Sequence, residues 1–303
     1  MTSNPVPAAA ATAARECTCR CGCRERTPCY PTDMTDEEWA ALEPALPVML
    51  CGTPLGGRPE KHSRRTMIDA MFYIDDNGCK WRALPRDYPP FSTVHAMFTR
   101  WTEDGVWADV IDILRPQARE AGGRDPEPSA AAIDSQSVPE CADGTVPAAT
   151  SGFDPFKKVN GIKRHILVDT LGLVIAIAVS AANVQDRDGA VYLILKAAGR
   201  GRRRLEKIWA DHGYTGDYRA WALEKFGIDV EIVEQDPELK GTGFHVLPRR
   251  WVVERTHAWL TRRRRCARDY ERLITHHLAM AEIAGIIQLT RRLAKARATA
   301  AAA

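Results

Sequence analysis

The chain has 303 residues, 45% of them hydrophobic and 27% charged, which is the composition of a folded globular protein and excludes a disordered one. Its formal net charge of +3 is too small by itself to indicate a nucleic-acid partner. No segment approaches the ~18 consecutive apolar residues of a membrane span, and the opening MTSNPVPAAAATAARE lacks the basic start of a secretory signal, so we expect a cytoplasmic protein without membrane contact.

Residues 1–32 are rich in Ala, Pro, Cys and Arg and show no apolar periodicity, which predicts a disordered leader. Five of the nine cysteines lie in it. Four of them alternate as C-x-C-x-C-x-C, a spacing that could bind a thiophilic metal but lacks the paired C-x-x-C of a structural zinc site. A metal-sensing role for this leader therefore stays an open alternative. The five cysteines are Cys17, Cys19, Cys21, Cys23 and Cys29.

Residues 33–118 are predicted to form a helical DNA-binding domain. Thr35 and Glu38 have the spacing of a capping box before an apolar stripe, so a helix begins there and ends before Pro47. Apolar periodicity predicts three more helices, over about 64–75, from a cap at Ser92, and over 106–114. Such short helices are compatible with a helix-turn-helix-like reader of DNA. The Gly and Pro content of 119–128 indicates a linker.

Residues 129–292 show a different pattern, which predicts an α/β domain. A short apolar run closes in Asp134, and KRHILVDT and LVIAIAVS form a hairpin around Leu171 and Gly172. A helix over about 188–198 precedes LEKIWAD, a strand ending in Asp211; a helix (217–225), a strand (228–233) and a long helix (251–263) follow. This order predicts a mixed sheet flanked by helices. Residues 293–303 are predicted to be a disordered tail.

Asp134 and Asp211 each follow an apolar strand, so both are predicted at strand ends, where open α/β sheets build their sites. A single acid at a strand end is often only a cap or turn residue. Two converging carboxylates are more informative, because Mg²⁺ prefers oxygen ligands and phosphoryl transfer needs such a cation.

The helix RRWVVERTHAWL carries Arg250, Glu254 and His257 on one face. An isolated Glu on an amphipathic helix is usually solvated, so the helix alone does not single out Glu254. From Arg249 to Arg272 the chain has nine arginines, a local excess that could neutralise phosphates and could equally be a solvated helix face. The residues predicted to contact DNA are Arg250, His257, Arg262, Arg263, Arg264 and Arg265.

The stretches AAIDSQSV, KRHILVDTLGLV, WADHGYTG and RRWVVERTHAWL, in this order, resemble the catalytic core of DDE transposases of bacterial insertion sequences. The similarity is to the insertion-sequence-five (IS4/IS5-like) family. The segment GRPEKHSRRTMIDAMFYIDDNGCKWRALPRDYPPFSTVHAMFTRW is similar to that family's N-terminal helical domain, and the likeness covers roughly residues 33–292. It implies a ribonuclease-H-like fold.

The resemblance also implies a function. It implies that Asp134, Asp211 and Glu254 are a catalytic triad, and we expect this triad to bind two Mg²⁺ ions, for which Mn²⁺ can substitute. It implies strand cleavage and strand transfer on double-stranded DNA, at the terminal inverted repeats and at the target. Because two DNA ends must be brought together, we expect a homodimer on DNA.

Two positions depart from the family pattern Y-x-x-R-x-x-x-E-x-x-x-x-x-x-K around the third acid. Leu247 stands at the Tyr position and Thr261 at the Lys position, while Arg250 and Glu254 match. Two alternatives stay open: a catalytically inactive regulator derived from a transposase, and a nuclease of the same fold that cuts without joining.

Overall fold

The computed structural model describes residues 27–48, 56, 60–141, 146–200, 204–233 and 249–301. Within these residues, four helices are followed by strands and then by strands alternating with helices. The helices are α1 (Asp36–Leu42), α2 (Arg64–Asn77), α3 (Phe91–Glu103), α4 (Val106–Glu120), α5 (Asp186–Gly199), α6 (Tyr218–Phe226), α7 (Trp251–Thr261), α8 (Arg264–Ala267) and α9 (Ile274–Ala301). The strands are β1 (Ala130–Pro139), β2 (Gly152–Asp154), β3 (Val159–Asp169), β4 (Val174–Ala181), β5 (Lys207–Ala210) and β6 (Asp229–Ile232).

The strands form one mixed sheet. Its order is β4-β3-β1-β5-β6, with the short β2 also beside β3. The pairs that β3 makes with β1, β2 and β4 are antiparallel, and those that β5 makes with β1 and β6 are parallel. Three antiparallel strands followed by two parallel ones, with helices on both faces, form a ribonuclease-H-like topology. The predicted fold class is therefore confirmed.

Side chains of β1 alternate between two apolar layers, as the period of a strand requires. Ala131 and Ile133 pack in the layer that contains α5 and α6, whereas Ala132 packs in the layer that contains α4, α7 and α9. Asp134 has the parity of Ala132 and therefore faces α7. Ser135 has the parity of Ile133 and faces α5.

Helices α1 to α4 share one hydrophobic core with α9 and with one face of the sheet. Thr35 caps α1 in the predicted capping box with Glu38. Helix α4 continues through Pro116 to Glu120, six residues beyond its predicted end, because its apolar stripe packs against α9. The division at 119–128 into two domains stays a prediction. No helix in the described part of the chain combines the length and the apolar character needed to cross a membrane.

The structure differs from two predictions about the ends of the chain. Helix α9 continues to Ala301, so the disordered tail over 293–303 is wrong for residues 293–301, where the Ala-rich sequence has high helix propensity. At the other end, Tyr30 stacks on Tyr88, so the ordered structure begins a few residues before the predicted start at 33. The cysteines of the predicted leader other than Cys29 lie outside the described residues.

Candidate active site

The carboxylates of Asp134 and Asp211 lie on neighbouring parallel strands. The pairing of β1 with β5 ends at Ala132 opposite Trp209. Extending this register by two residues sets Asp134 beside Asp211, at the ~4.8 Å spacing of adjacent strands. Asp211 follows β5 directly, as predicted. Asp134 lies inside β1, which continues to Pro139, so its predicted place at a strand end is wrong; the pairing with β3 extends the strand.

Helix α7 brings Glu254 to the same place. Its apolar face, with Val253 and Leu260, packs into the core. The hydroxyl of Thr256 donates to the carbonyl of Gly172 at 2.9 Å, which docks α7 on the β3–β4 turn. Gly172 has φ +79°, and a Cβ there would lie 3.1 Å from the Thr256 hydroxyl, so only glycine fits this contact. Glu254 lies at the border of this packed face, and its Oε1 is 3.8 Å from the Nη2 atom of Arg250.

Arg250 lies between the three acids. Its Nη2 atom is 3.4 Å from Asp211 Oδ2, 3.8 Å from Asp134 Oδ1 and 3.8 Å from Glu254 Oε1. No two of these oxygens can therefore be farther apart than twice 3.8 Å. The predicted triad converges on one point, which we call the acid site (Asp134, Asp211 and Glu254). Among the described residues, no three His, Cys, Asp or Glu side chains form a ready-made metal site.

The acid site has an excess of negative charge. Burial raises the pKa of Asp134 from 3.8 to about 6, and the nearby Asp211 raises it further while Arg250 opposes both. A carboxylate that is buried beside another carboxylate is stabilised by an added cation. The donor set is made of hard oxygen atoms, which suits Mg²⁺ or Mn²⁺.

The Asp134→Asn variant should be more stable than the wild type in EDTA at neutral pH. The raised pKa means that ionising Asp134 costs folding free energy, a cost absent below pH 3.8 and complete above about pH 6. The expected gain in free energy of unfolding is roughly 2–3 kcal/mol at pH 7.5, shrinking towards zero at pH 4. Urea denaturation across this range measures it, with the exposed Asp104→Asn as control. A gain that does not depend on pH would contradict the buried charge.

His257 was predicted to contact DNA, but the structure buries it under the acid site. Its Nε2 lies 3.7 Å from Asp134 Oδ2, and neither ring nitrogen has a hydrogen-bond partner in the structure. Burial, reinforced by the charge of Arg164, lowers the pKa of His257 to about 3, so the ring is neutral. His257 is buried because it lies one helical turn after Val253, on the packed side of α7.

The predicted run of arginines divides by burial. Arg262 and Arg264 are exposed, and Arg263 pairs with Asp76 of α2 at 2.6 Å. Arg265 is buried, where its guanidinium donates to Glu271 at 2.6 Å and to the carbonyl of Cys79. The structure therefore differs from the prediction at Arg265, because two buried acceptors already satisfy its charge and hydrogen bonds.

A basic cleft lies between the end of α7 and the middle turns of α9. It has a volume of about 660 Å³. Within the described part of the chain, Arg262, Arg292 and Lys295 have no acidic partner within 4 Å. We call this surface the α7–α9 cleft; its charged and polar lining is Asp76, Arg262, Arg263, Gln288, Arg291, Arg292 and Lys295.

Two charged residues near the acid site had no sequence signal. The Lys157 amine donates to the carbonyl of Ser135 at 3.2 Å, and its charge lowers the pKa of Asp134 against the larger effect of burial. Asp186 lies close to Asp211, because the carboxylates of both contact the same position: a Cβ on Gly213 would be 3.1 Å from Asp211 Oδ1 and 3.4 Å from Asp186 Oδ2. Lys163 neutralises Asp186 at 3.0 Å. The positions of Lys157 and Asp186 depend on contacts with residues that are distant in the sequence, 22 residues for Lys157 and Ser135.

Comparisons with known proteins agree with this geometry. Residues 34–111 match a family model described as "Putative transposase of IS4/5 family", and residues 125–289 match the model of the "Transposase DDE domain". The chain is 34% identical over 129 residues to the "Putative transposase for insertion sequence element IS402" of Burkholderia cepacia, covering 41% of this chain and 60% of that protein.

Two further similarities are weaker. An uncharacterised protein of Sinorhizobium fredii is 28% identical over 88 residues, covering 29% of this chain and 65% of its own length. The chain thus spans less than two thirds of both curated relatives. A crystal structure of a pre-cleavage Mos1 transpososome aligns over 82% of this chain and 81% of its own, with 13% identity and a TM-score of 0.26.

Proposed function

The chain belongs to the family of DDE transposases of the IS4/IS5 type, and from this premise we propose that it binds the terminal inverted repeats of an insertion sequence and catalyses Mg-dependent strand cleavage and strand transfer. The supporting observation is the acid site, where three carboxylates from two strands and a helix lie within 3.8 Å of one nitrogen atom. A bacterial chromosome lies in the cytoplasm, which is where we expect this activity.

Asp134, Asp211 and Glu254 would hold two Mg²⁺ ions, with Mn²⁺ as a substitute. When bound, the ions would neutralise the charge that develops on the transferring phosphate and make the attacking water or 3′-hydroxyl more acidic. Arg250 now fills the space between the acids. Its contacts of 3.4–3.8 Å are longer than the ~2.8 Å of a strong charge-assisted hydrogen bond, and bound cations would replace its positive charge beside the acids.

A displaced Arg250 would remain at the mouth of the acid site as a planar donor for a phosphate next to the scissile bond. His257, neutral and fixed in the core, limits where the Asp134 carboxylate can turn. No covalent enzyme intermediate is required, and cleavage and joining can use the same acid site in succession.

The α7–α9 cleft fits the continuation of the same DNA strand. Glu254 and Arg262 are eight residues apart on one helical segment, which corresponds to ~12 Å along its axis. At ~3.4 Å of axial rise per nucleotide, a strand at the acid site would reach the cleft three to four nucleotides later. Arg262 and Lys295 are exposed there and have no acidic partner among the described residues, so their charge is available to phosphates.

The double variant Arg262→Ala/Lys295→Ala should weaken the salt dependence of DNA binding. Each phosphate contact contributes ~0.9 to the slope of log affinity against log salt, so the slope should fall by about 2. Fluorescence anisotropy with labelled terminal DNA at 50–300 mM salt measures it. The double variant Arg204→Ala/Lys225→Ala removes the same charge from residues paired with Asp125 and Glu224. Equal slopes for both variants would exclude the cleft from the DNA path.

Incubation of the wild type with precut terminal DNA, target plasmid and Mg²⁺ tests the function. Joined product is expected. If the protein cleaves intact terminal DNA but does not join the precut DNA, it is a nuclease. If it binds DNA but neither cleaves nor joins it, it is an inactive regulator. Because joining unites two ends, we infer that two protomers assemble on DNA, which the mass of the complex in light scattering would measure.

A further inference from the structure

The turn between β2 and β3 carries an aromatic side chain in solvent, and the residue after it, Lys157, contacts the carbonyl of Ser135 next to Asp134. This turn, which we call the β2–β3 turn, comprises residues 154–158 (DPFKK). The ring of Phe156 is 94% exposed, and Phe153 on the adjoining strand is 54% exposed. A fully exposed Phe gains nothing from folding, because the hydrophobic effect rewards only apolar surface removed from water. The exposure of Phe156 is therefore suited to a partner that covers it.

The β2–β3 turn is held in one conformation. The buried carboxylate of Asp154 accepts the backbone N–H groups of Phe156 at 3.0 Å and Lys157 at 3.1 Å through Oδ1. Its Oδ2 accepts the hydroxyl of Ser137 on β1 at 2.6 Å. Pro155 further restricts the backbone. The turn presents Phe156 on a backbone fixed to the central strand of the sheet, which lowers the entropy lost on binding.

Charge on the β2–β3 turn indicates what covers it. Lys157 and Lys158 are both exposed, and neither forms an ion pair with another described residue. The Lys157 amine reaches the carbonyl of Ser135, the residue after Asp134. An exposed aromatic ring followed by two cations suits single-stranded nucleic acid, whose bases stack on the ring while its phosphates lie near the cations.

We propose that Phe156 stacks on a base of the DNA strand that enters the acid site, with Lys157 and Lys158 beside that strand's phosphates. This inference rests on the proposed function, because it takes DNA as the substrate. Stacking on an aromatic ring tolerates any base, so the turn positions the strand without reading its sequence. The scissile phosphate is then held from both sides, by the β2–β3 turn and by α7.

Binding in EDTA separates positioning from catalysis. The probe is a duplex of the element's end with a single-stranded extension across the cleavage position. Phe156→Ala should lower its affinity about 5- to 100-fold, the loss typical of one base–aromatic stack, and Phe156→Trp should restore it. Tyr192→Ala removes another exposed aromatic, on α5, and should leave the affinity unchanged.

Photocrosslinking identifies the contact. In the same probe, 5-iodouracil replaces thymine at positions next to the cleavage site, and mass spectrometry should find the crosslinked base on the peptide containing Phe156. If the wild type binds the DNA while Phe156→Ala binds equally well, the inference fails and the proposed function stands. If Phe156→Ala instead changes the protein's mass in light scattering without affecting DNA binding, the ring covers a second copy and the inference also fails. If the wild type binds no DNA at all, both the inference about Phe156 and the proposed function are wrong.

Discussion

Asp211→Ala and Asp134→Ala should each abolish strand cleavage, by more than about 10³-fold, while binding to the terminal DNA should stay within a few-fold of the wild type. Each variant removes one of the carboxylates that converge within 3.8 Å of Arg250 Nη2. A catalytic cation contributes several kcal/mol to phosphoryl transfer, and ~1.4 kcal/mol corresponds to tenfold in rate. Binding is retained because phosphate contacts, not the acids, dominate affinity.

Gel analysis of end-labelled terminal DNA measures cleavage, and anisotropy measures binding. Asp217→Ala provides a matched control: it removes an exposed Asp six residues after Asp211 that caps α6 without a side-chain hydrogen bond. EDTA should abolish cleavage by the wild type, and Mn²⁺ should restore it. Cleavage at the wild-type rate by either acid variant would remove that residue from the mechanism.

The sequence predicted features that depend on neighbours along the chain. The capping box at Thr35 needs only Glu38, and the turn at Gly172 needs only the two strands that flank it. Both were found where the pattern placed them. Glu254 is different, because the amphipathic pattern of α7 does not distinguish it from a solvated acid. Only its resemblance to a family motif singled it out, and the structure brings it beside Asp134 and Asp211.

Features that depend on distant partners could not be predicted. Arg263 pairs with Asp76, 187 residues away, and Arg265 is buried by contacts with Cys79 as well as Glu271. In the sequence the arginines of this run cannot be distinguished from one another. Burial, and not composition, therefore decides which of them can contact DNA. The exposed Phe156 is the converse case: its hydrophobicity predicts burial, whereas tertiary structure leaves it in solvent.

Asp169→Asn should destabilise the protein by roughly 3–5 kcal/mol, because removing one partner of a buried ion pair leaves the other charge uncompensated. Asp169 is fully buried. Its Oδ2 accepts a hydrogen bond from Arg119 at the end of α4, and its Oδ1 accepts the backbone N–H groups of Leu171 and Leu173 at 2.8 Å. Denaturation in guanidinium chloride measures the loss. Asp109→Asn, which breaks an exposed pair with Arg200, should cost less than about 1 kcal/mol.

The same substitution connects stability to the acid site. Leu171 and Gly172, which Asp169 holds in place, accept hydrogen bonds from Arg255 and Thr256 of α7 at 2.9 Å. Loosening this turn would shift the helix that carries Glu254, so residual cleavage should fall even where the variant is folded. Because α4 and the sheet share this pair and one hydrophobic core, we expect a single unfolding transition for both. Separate transitions for the helical segment and the sheet, or a loss below 1 kcal/mol, would show that Arg119 and Asp169 do not join them.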